Sequence, residues 1–489
     1  VRLADTQTTG AKGKEALVTI AALRKLPAPV SDDPRIDLAE ARALQRVGSY
    51  KEQQAVAARA AAKGEAAGAR LIVASARLLE ATALRAQGQT AKSLEITEQA
   101  RALFEAAGDR RGVAQALERM AITLHRGGDM EGARKLFERA AAILSELGDR
   151  RRHALMLQNQ ASVLLAQGKL AEAERLLTGA LATFREVGAK WEAAQALVDF
   201  GIKHHNRGEL ALALKRYNEA LALYGEIGDK GGTALALTNI GETLFVKGDL
   251  EQSAKVHEEA LATSREVGQN TYAAYNLFRL GEVFLARGDG ALARDRYNDA
   301  LALQEKSDAK TAAADTRVGL ARVALEEGRF ADAAKLVDGA AQVFRGARAS
   351  DREALALTVL GTARGAEGNA QAAREAAERA STIAKASSHA QVRFAAAILD
   401  ARLRAASAAA GDVRAALDAL EPLRREARQA GMLGCELDLR LAQAEIDARW
   451  GNKAGGRRLL ESIAQEARSK GYGGASRRAS RILEASRVG

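Results

Sequence analysis

Apolar residues recur at spacings of three and four through most of this chain, in stretches of about 16 residues rich in Ala, Leu, Glu and Arg, and each stretch predicts an amphipathic helix. The stretches are divided by glycine at a fixed period. Gly48, Gly88, Gly128, Gly168, Gly208, Gly248, Gly288, Gly328 and Gly368 stand 40 residues apart; the phase then shifts by three to Gly411 and resumes with Gly451. A second set, Gly68, Gly108, Gly148, Gly188, Gly228 and Gly268, falls midway, and Gly431 and Gly471 continue it. Glycine suits a helix C-terminus that turns through the left-handed region. Each unit therefore predicts a helical hairpin, about eleven in all.

One face of each first helix is apolar, as in Leu237, Ile240, Gly241 and Leu244, and again in Leu277, Leu280, Gly281 and Phe284. In the second helix an alanine recurs as Ala60, Ala100, Ala140, Ala180, Ala220, Ala260, Ala300, Ala340 and Ala380, which lets helices approach closely. A small residue precedes the turn glycine by seven (Ala121, Ala161, Gly201, Gly241, Gly281). Another follows it by five (Ala133, Ala173, Ala213, Ser253, Ala293), and a large residue comes four later (Phe137, Leu177, Tyr217, His257, Tyr297).

This pattern resembles the tetratricopeptide repeat, over residues 34–489 and most strongly over 110–345. Two departures stand out: the period is 40 and not the usual 34, and the proline that often ends the second helix is missing. The longer period resembles a subclass found in bacterial signalling proteins and cell-polarity adaptors. HEAT-like hairpins have overlapping periods and stay open as the alternative. The resemblance implies an all-α fold, an α-solenoid of helix-turn-helix hairpins wound into a right-handed superhelix. We expect a truncated leading helix and Pro-containing connector over 1–33, a regular array over 34–410, and degenerate units with a basic cap over 411–489.

Composition narrows the function. Aromatics make up 4% and prolines number four, which leaves little for sheets; charged residues at 28%, with no run of about 18 apolar residues, exclude a membrane-spanning chain. One cysteine, Cys435, excludes an internal disulfide framework and fits a cytoplasmic address. The six histidines, His125, His153, His204, His205, His257 and His389, contain no i, i+4 pair, so no metal site and no cofactor is expected. His204 falls at the buried phase of its helix and His205 on another face. Gly-Asp-Lys-Gly-Gly at 228–232 and Gly-Tyr-Gly-Gly at 471–474 match no phosphate loop and are expected to be turns. No convergent nucleophile and base appears, so the chain is expected not to be an enzyme.

Net charge is +11, and residues 449–489 hold ten Lys and Arg against three Glu, a surplus of seven. The terminal units of a stacked array are polar because they face solvent, so a solvated cap is the preferred reading. Nucleic-acid binding through that cap is the alternative function, disfavoured by the scarcity of stacking aromatics.

In the tetratricopeptide family the concave face is lined by first helices, and positions 13, 9, 6 and 2 before each turn glycine form one stripe there. The stripe supplies the candidate peptide-binding residues Gln115, Arg119, Arg126, Asn159, Gln195, Asp199, Asn206, Asn239, Glu242, Tyr275, Arg279 and Glu282. Amides that both donate and accept suit an extended backbone, which singles out Asn159 and Asn239. Arg119 and Arg126 against Asp199, Glu242 and Glu282 predict a groove that changes sign along its length. The expected function is a non-enzymatic scaffold that binds a peptide or partner segment on the concave face, the docking or sensor region of a larger bacterial signalling protein. The segment from Leu26 to Leu38 resembles the entry to arrays that follow kinase or winged-helix domains, which would lie upstream in the same polypeptide.

Overall fold

A computed structural model of the chain describes residues 1–9 and 13–488. Lys12 and Ala11, which belong to the predicted leading helix, lie outside the described residues, as does the side chain of Arg487 in the basic cap. Among the described residues the fold is all-α, in two compact units, Val1–Phe200 and Gly201–Gly489.

Unit 1 comprises α1 (Arg2–Thr9), α2 (Gly13–Leu23), α3 (Pro34–Val47), α4 (Tyr50–Ala66), α5 (Arg70–Ala86), α6 (Thr90–Ala106), α7 (Arg110–Arg126), α8 (Met130–Glu146), α9 (Arg150–Ala166), α10 (Leu170–Glu186) and most of α11 (Lys190–Asn206). Unit 2 continues with α12 (Leu210–Glu226), α13 (Lys230–Lys247), α14 (Leu250–Glu266), α15 (Asn270–Arg287), α16 (Gly290–Lys306), α17 (Lys310–Glu326), α18 (Phe330–Gly346), α19 (Ser350–Ala366), α20 (Ala370–Ala386), α21 (Ala390–Ala405), α22 (Ala410–Gln429), α23 (Leu433–Trp450), α24 (Lys453–Ser469) and α25 (Gly473–Val488). From α3 to α24 these are the eleven hairpins of an α-solenoid, and α25 follows as a single helix. The helix α1, packed on α2 and α3 through Ala4, Ala16, Ile20 and Ile36, was not foreseen from the sequence.

The loops show why the glycine period works. Gly128 takes φ +90, its N–H and that of Asp129 donate to the carbonyls of His125 and Leu124, and Asp129 then accepts from the N–H of Gly132 at 2.8 Å. One dipeptide thus ends a helix and caps the next, and only three residues separate consecutive helices there.

One expectation about the late array needs correction. The phase does not slip at Gly411. The left-handed turn stays in register at Ala408, with φ +59, and Gly411 lies in the first turn of α22. The three extra residues lengthen α22 to 20 residues, with Pro422 inside it. Asp308 and Arg348 likewise hold positive φ where the midway glycine is missing, because the geometry of the neighbouring hairpins dictates the turn.

The small and large positions of the motif meet as pairs. Tyr217, Tyr297 and His257 are buried, and a Cβ added at Gly201 would collide with the Tyr217 ring, one at Gly281 would fall 2.5 Å from the Tyr297 ring, and one at Gly241 2.8 Å from the His257 ring. Where the partner is Phe137 or Leu177, the facing residue is Ala121 or Ala161. Glycine thus faces Tyr217, His257 and Tyr297, and alanine faces Phe137 and Leu177.

Candidate functional site

The predicted stripe lies on the first helices in both units, half-buried except at the exposed Arg126, Asn206 and Tyr275, and its chemistry differs between them.

In unit 2 the stripe satisfies itself. Glu242 on α13 pairs with Arg279 on α15, and the Tyr275 hydroxyl donates to Glu242 at 3.0 Å while accepting from Arg279 Nε at 3.0 Å. Arg279 also lies over the Tyr275 ring, 5.2 Å from its centroid. One rung on, Glu282 accepts from the Tyr297 hydroxyl at 2.7 Å and from Arg322 at 2.9 Å. Burial raises the pKa of Glu242 and Glu282, but the facing arginines and tyrosines outweigh it and hold both carboxyls below the ordinary value. Asp315 faces Arg352 at 3.2 Å, and here burial wins and its carboxyl is pushed up to about 6. The Asn239 amide donates to the Leu235 carbonyl of its own helix at 2.9 Å. Asn206 is exposed at the end of α11. The acidic stretch expected from Glu242 and Glu282 is therefore neutralised, because residues 37 and 40 apart in sequence stand side by side on neighbouring first helices.

In unit 1 the stripe has no such ion pairs among the described residues. Arg119 and Arg126 on α7, and Arg85 on α5, pair with no carboxylate among the described residues. Burial, then the nearby guanidiniums of Arg126 and Arg119, lower the pKa of Arg85. His125 is lowered too, by burial and then by Arg126. Sequence reasoning missed Arg85, which lies one residue outside the stripe positions. Asn159 on α9 is half-buried and its amide makes no hydrogen bond among the described residues. Asp199 on α11 accepts one hydrogen bond, from Gln158 at 2.8 Å, and burial pushes its carboxyl up to about 7. Arg119, Asn159 and Asp199 hold the same position on successive first helices, so a cation, an amide and an acid run in one line. Gln195 is half-buried on the same face. Beside this line opens a cleft of about 440 Å³ lined by Ser75, Phe104, Asp109, Arg111, Gly112, Gln115, Asp149 and Arg152.

Within the basic cap Lys453, Arg458, Arg468 and Arg477 are exposed, and other cations are paired. Arg478 pairs with Asp438 at 2.5 Å and with Glu326 at 3.5 Å, Arg481 pairs with Glu326, and Arg449 and Lys470 pair with Glu445 and Glu466 on their own helices. The Arg457 side chain donates to the Ser486 carbonyl. His204 is buried with Nδ1 2.6 Å from Glu209, and His205 Nδ1 lies 3.0 Å from the Thr243 hydroxyl. Burial pushes the thiol of half-buried Cys435 up to about 12, which keeps it protonated. Among the described residues no group of three or more His, Cys, Asp or Glu is placed to hold a metal, and no helix is long and apolar enough to cross a membrane.

Stacked hairpins with left-handed glycine turns, paired small and large positions and a polar first-helix stripe define a tetratricopeptide α-solenoid. A tetratricopeptide repeat model matches residues 72–146. The model of the MalT-like TPR region matches residues 179–473, more than half of the chain, and the chain belongs to that family. No curated protein is matched by the sequence. Among solved structures, the apo form of RapI is similar over 77% of this chain and 98% of its own, at 13% identity and a TM-score of 0.50, a likeness of fold. A Rap protein complexed with Competence and Sporulation Factor covers 77% of this chain and 97% of its own at 14% identity, with a TM-score of 0.48. A signal transduction ATPase with numerous domains from Pyrococcus horikoshii, which has a tetratricopeptide repeat sensor, matches 84% of this chain at 13% identity and a TM-score of 0.48; the match spans 55% of that protein.

Proposed function

We propose that this chain is a non-enzymatic interaction scaffold whose first-helix face in unit 1 holds an extended protein segment with an acidic end. The observation that carries this reading is the contrast between the two units. Charges on the unit 2 stripe neutralise one another rung by rung, whereas in unit 1, among the described residues, Arg85, Arg119 and Arg126 form no ion pair, the Asn159 amide makes no hydrogen bond, and Asp199 accepts only the one from Gln158. Arg85 and Arg119, half-buried and without an ion pair, gain from a desolvated carboxylate, the exposed Arg126 stands beside them, and a free amide gains from an extended backbone. In this reading the acidic end lies over Arg85, Arg119 and Arg126, the Asn159 amide pairs with the backbone, and Asp199 receives a donor at the far end. Membership of the MalT-like family supports a docking or sensor role within a larger bacterial signalling protein of the cytoplasm, with the partner either a separate protein or a kinase or winged-helix domain of the same polypeptide.

The test is selection from a random displayed peptide library on the full chain, followed by titration of a selected peptide. Selected sequences are expected to be enriched in Asp and Glu, and the double substitution Arg119→Ala with Arg126→Ala should weaken them at least tenfold. Asn159→Ala should weaken them by ~1–3 kcal/mol, the cost of an unmet buried hydrogen bond. Peptides without acidic bias, or equal affinity for the arginine variant, would overturn the proposal.

A further inference from the structure

Side chains 41 residues apart in sequence face each other across the gap between neighbouring first helices of unit 1. Arg151 Nε on α9 donates to Glu192 on α11 at 2.8 Å, and about two helical turns further along the same face Gln158 on α9 donates to Asp199 on α11 at 2.8 Å. Both facing pairs are complementary. Arg151 and Gln158 lie 17 and 10 residues before Gly168, and Arg85 on α5 lies 3 before Gly88, so the three share one face in steps of seven. The residue 41 beyond Arg85 is Arg126 on α7. Two cations thus stand where the α9 and α11 pairs set a donor against an acid.

Arg119 extends the cluster. It lies seven residues before Arg126 on α7, and the α5 residue opposite it at the same spacing is the buried Leu78. Burial first, then Arg126 and Arg119, lower the pKa of Arg85, so the three charges act on one another. None of them forms an ion pair among the described residues. Glu118, next to Arg119 in sequence, makes no ion pair either, since adjacent residues of a helix point to different faces; burial raises its carboxyl, with Arg119 and Arg152 opposing. Tyr50 on α4 lies within electrostatic reach of Arg85, and its hydroxyl makes no hydrogen bond among the described residues. The C-terminal end of a helix attracts a cation, which accounts for Arg85 or Arg126 singly. It does not account for the two standing opposite each other, nor for Arg119 two turns earlier.

The number of donors narrows the ligand. A carboxylate brings one negative charge and two oxygens, and a single guanidinium fork satisfies it. A phosphate monoester brings about −1.5 to −2 charges at pH 7 and three terminal oxygens. Three guanidiniums without counter-charge, beside a free hydroxyl, exceed what one carboxylate can use and match what a phosphate offers.

We propose that Arg85, Arg119 and Arg126 form a site for a phosphorylated side chain, so that the segment held along unit 1 is a phosphorylated one. The proposal rests on the peptide-binding reading of this face and names the anion that the face receives. Phosphorylation of the partner then acts as the signal that turns binding on.

The experiment titrates the full chain with three synthetic degenerate peptide pools that differ only in one fixed central residue, phosphoserine, glutamate or serine, and reads fluorescence anisotropy. The phosphoserine pool is expected to bind at least tenfold more tightly than the glutamate pool, and the glutamate pool more tightly than the serine pool. Arg85→Ala should cut the preference for phosphoserine over glutamate to below threefold. Arg85→Lys, which keeps the charge and most of the packing but lacks the fork, should lose most of the preference as well, with helicity by circular dichroism unchanged. Equal affinity for the phosphoserine and glutamate pools, both tighter than serine, would overturn the proposal and leave the acidic-segment reading standing. A preference that survives both Arg85 variants would also overturn it, by placing the phosphate elsewhere. Three pools of equal affinity would overturn that reading along with the proposal. Inorganic phosphate binding by itself as tightly as the phosphoserine pool would make free phosphate the ligand and overturn the assignment to a phosphorylated segment.

Discussion

His257 offers the sharpest test of how the core is held. It occupies the large position of its hairpin, is fully buried, and its Nδ1 lies 2.8 Å from the Asn276 Oδ1, which in turn pairs with Thr238. Burial lowers the imidazole from 6.5 to about 4, with the Asn276 hydrogen bond opposing. The unfolded chain then binds a proton below about 6.5 that the folded chain refuses until about 4. Stability conferred by the neutral ring is complete above the unfolded value and is lost as pH falls through that window. At about 1.4 kcal/mol per tenfold, the loss by pH 4 is about 3 kcal/mol.

The perturbation is His257→Phe, since Phe137 fills the equivalent place in the third hairpin. The variant loses one hydrogen bond to Asn276 and should be less stable than the parent by about 1 kcal/mol at pH 8. At pH 4.5 it should be the more stable protein. A stacked array unfolds in parts, so the readout is hydrogen exchange of amides in 253–284, parent against variant at each pH. The two stability curves should cross between pH 5 and 7, at a point set by the values just given. Curves that stay parallel from pH 8 to 4.5 would refute the reasoning, because the other titrating groups are common to both proteins.

Asp199 titrates with the opposite sign: its folded carboxyl sits at about 7 against an ordinary 3.8, so stability is lost as pH rises between them. Asp199→Asn should raise stability at pH 8 by on the order of 1–2 kcal/mol, allowing for partial exposure, and change nothing at pH 4, as thermal melts would show. Gly281→Ala should destabilise unit 2 by roughly 1–3 kcal/mol by forcing the Tyr297 ring away from α15, and adding Tyr297→Leu should recover part of it, reproducing the Ala161 and Leu177 pair. The check is whether the double variant melts above the single one. Ala408→Gly should stabilise the chain by roughly 1 kcal/mol, because alanine there holds a left-handed conformation; a lower melting temperature would contradict that turn assignment.

Local chemistry left its mark in the sequence wherever a residue answers to its own helix or to the next turn. A left-handed turn needs glycine, so the 40-residue period and the eleven hairpins could be counted from Gly48 to Gly368 and beyond. Packing across one hairpin links positions 16 apart, so Gly201 with Tyr217 and Gly281 with Tyr297 were legible as small and large partners. The members of the stripe were legible for the same reason. Their electrical state was not. Whether Glu242 meets Arg279, or Arg119 forms no ion pair among the described residues, depends on which side chains stand across the gap between first helices, and that is set by how the hairpins stack. The turn at Ala408 was hidden because stacking imposed a conformation that its residue type does not advertise. Gly473 and Arg481 read as turn and cap because their partners, Arg287 and Glu326, lie more than 150 residues away. Sequence by itself determined the hairpins and their number; tertiary structure alone decided which charges are cancelled and where the chain meets itself, because those contacts join residues that no local periodicity relates.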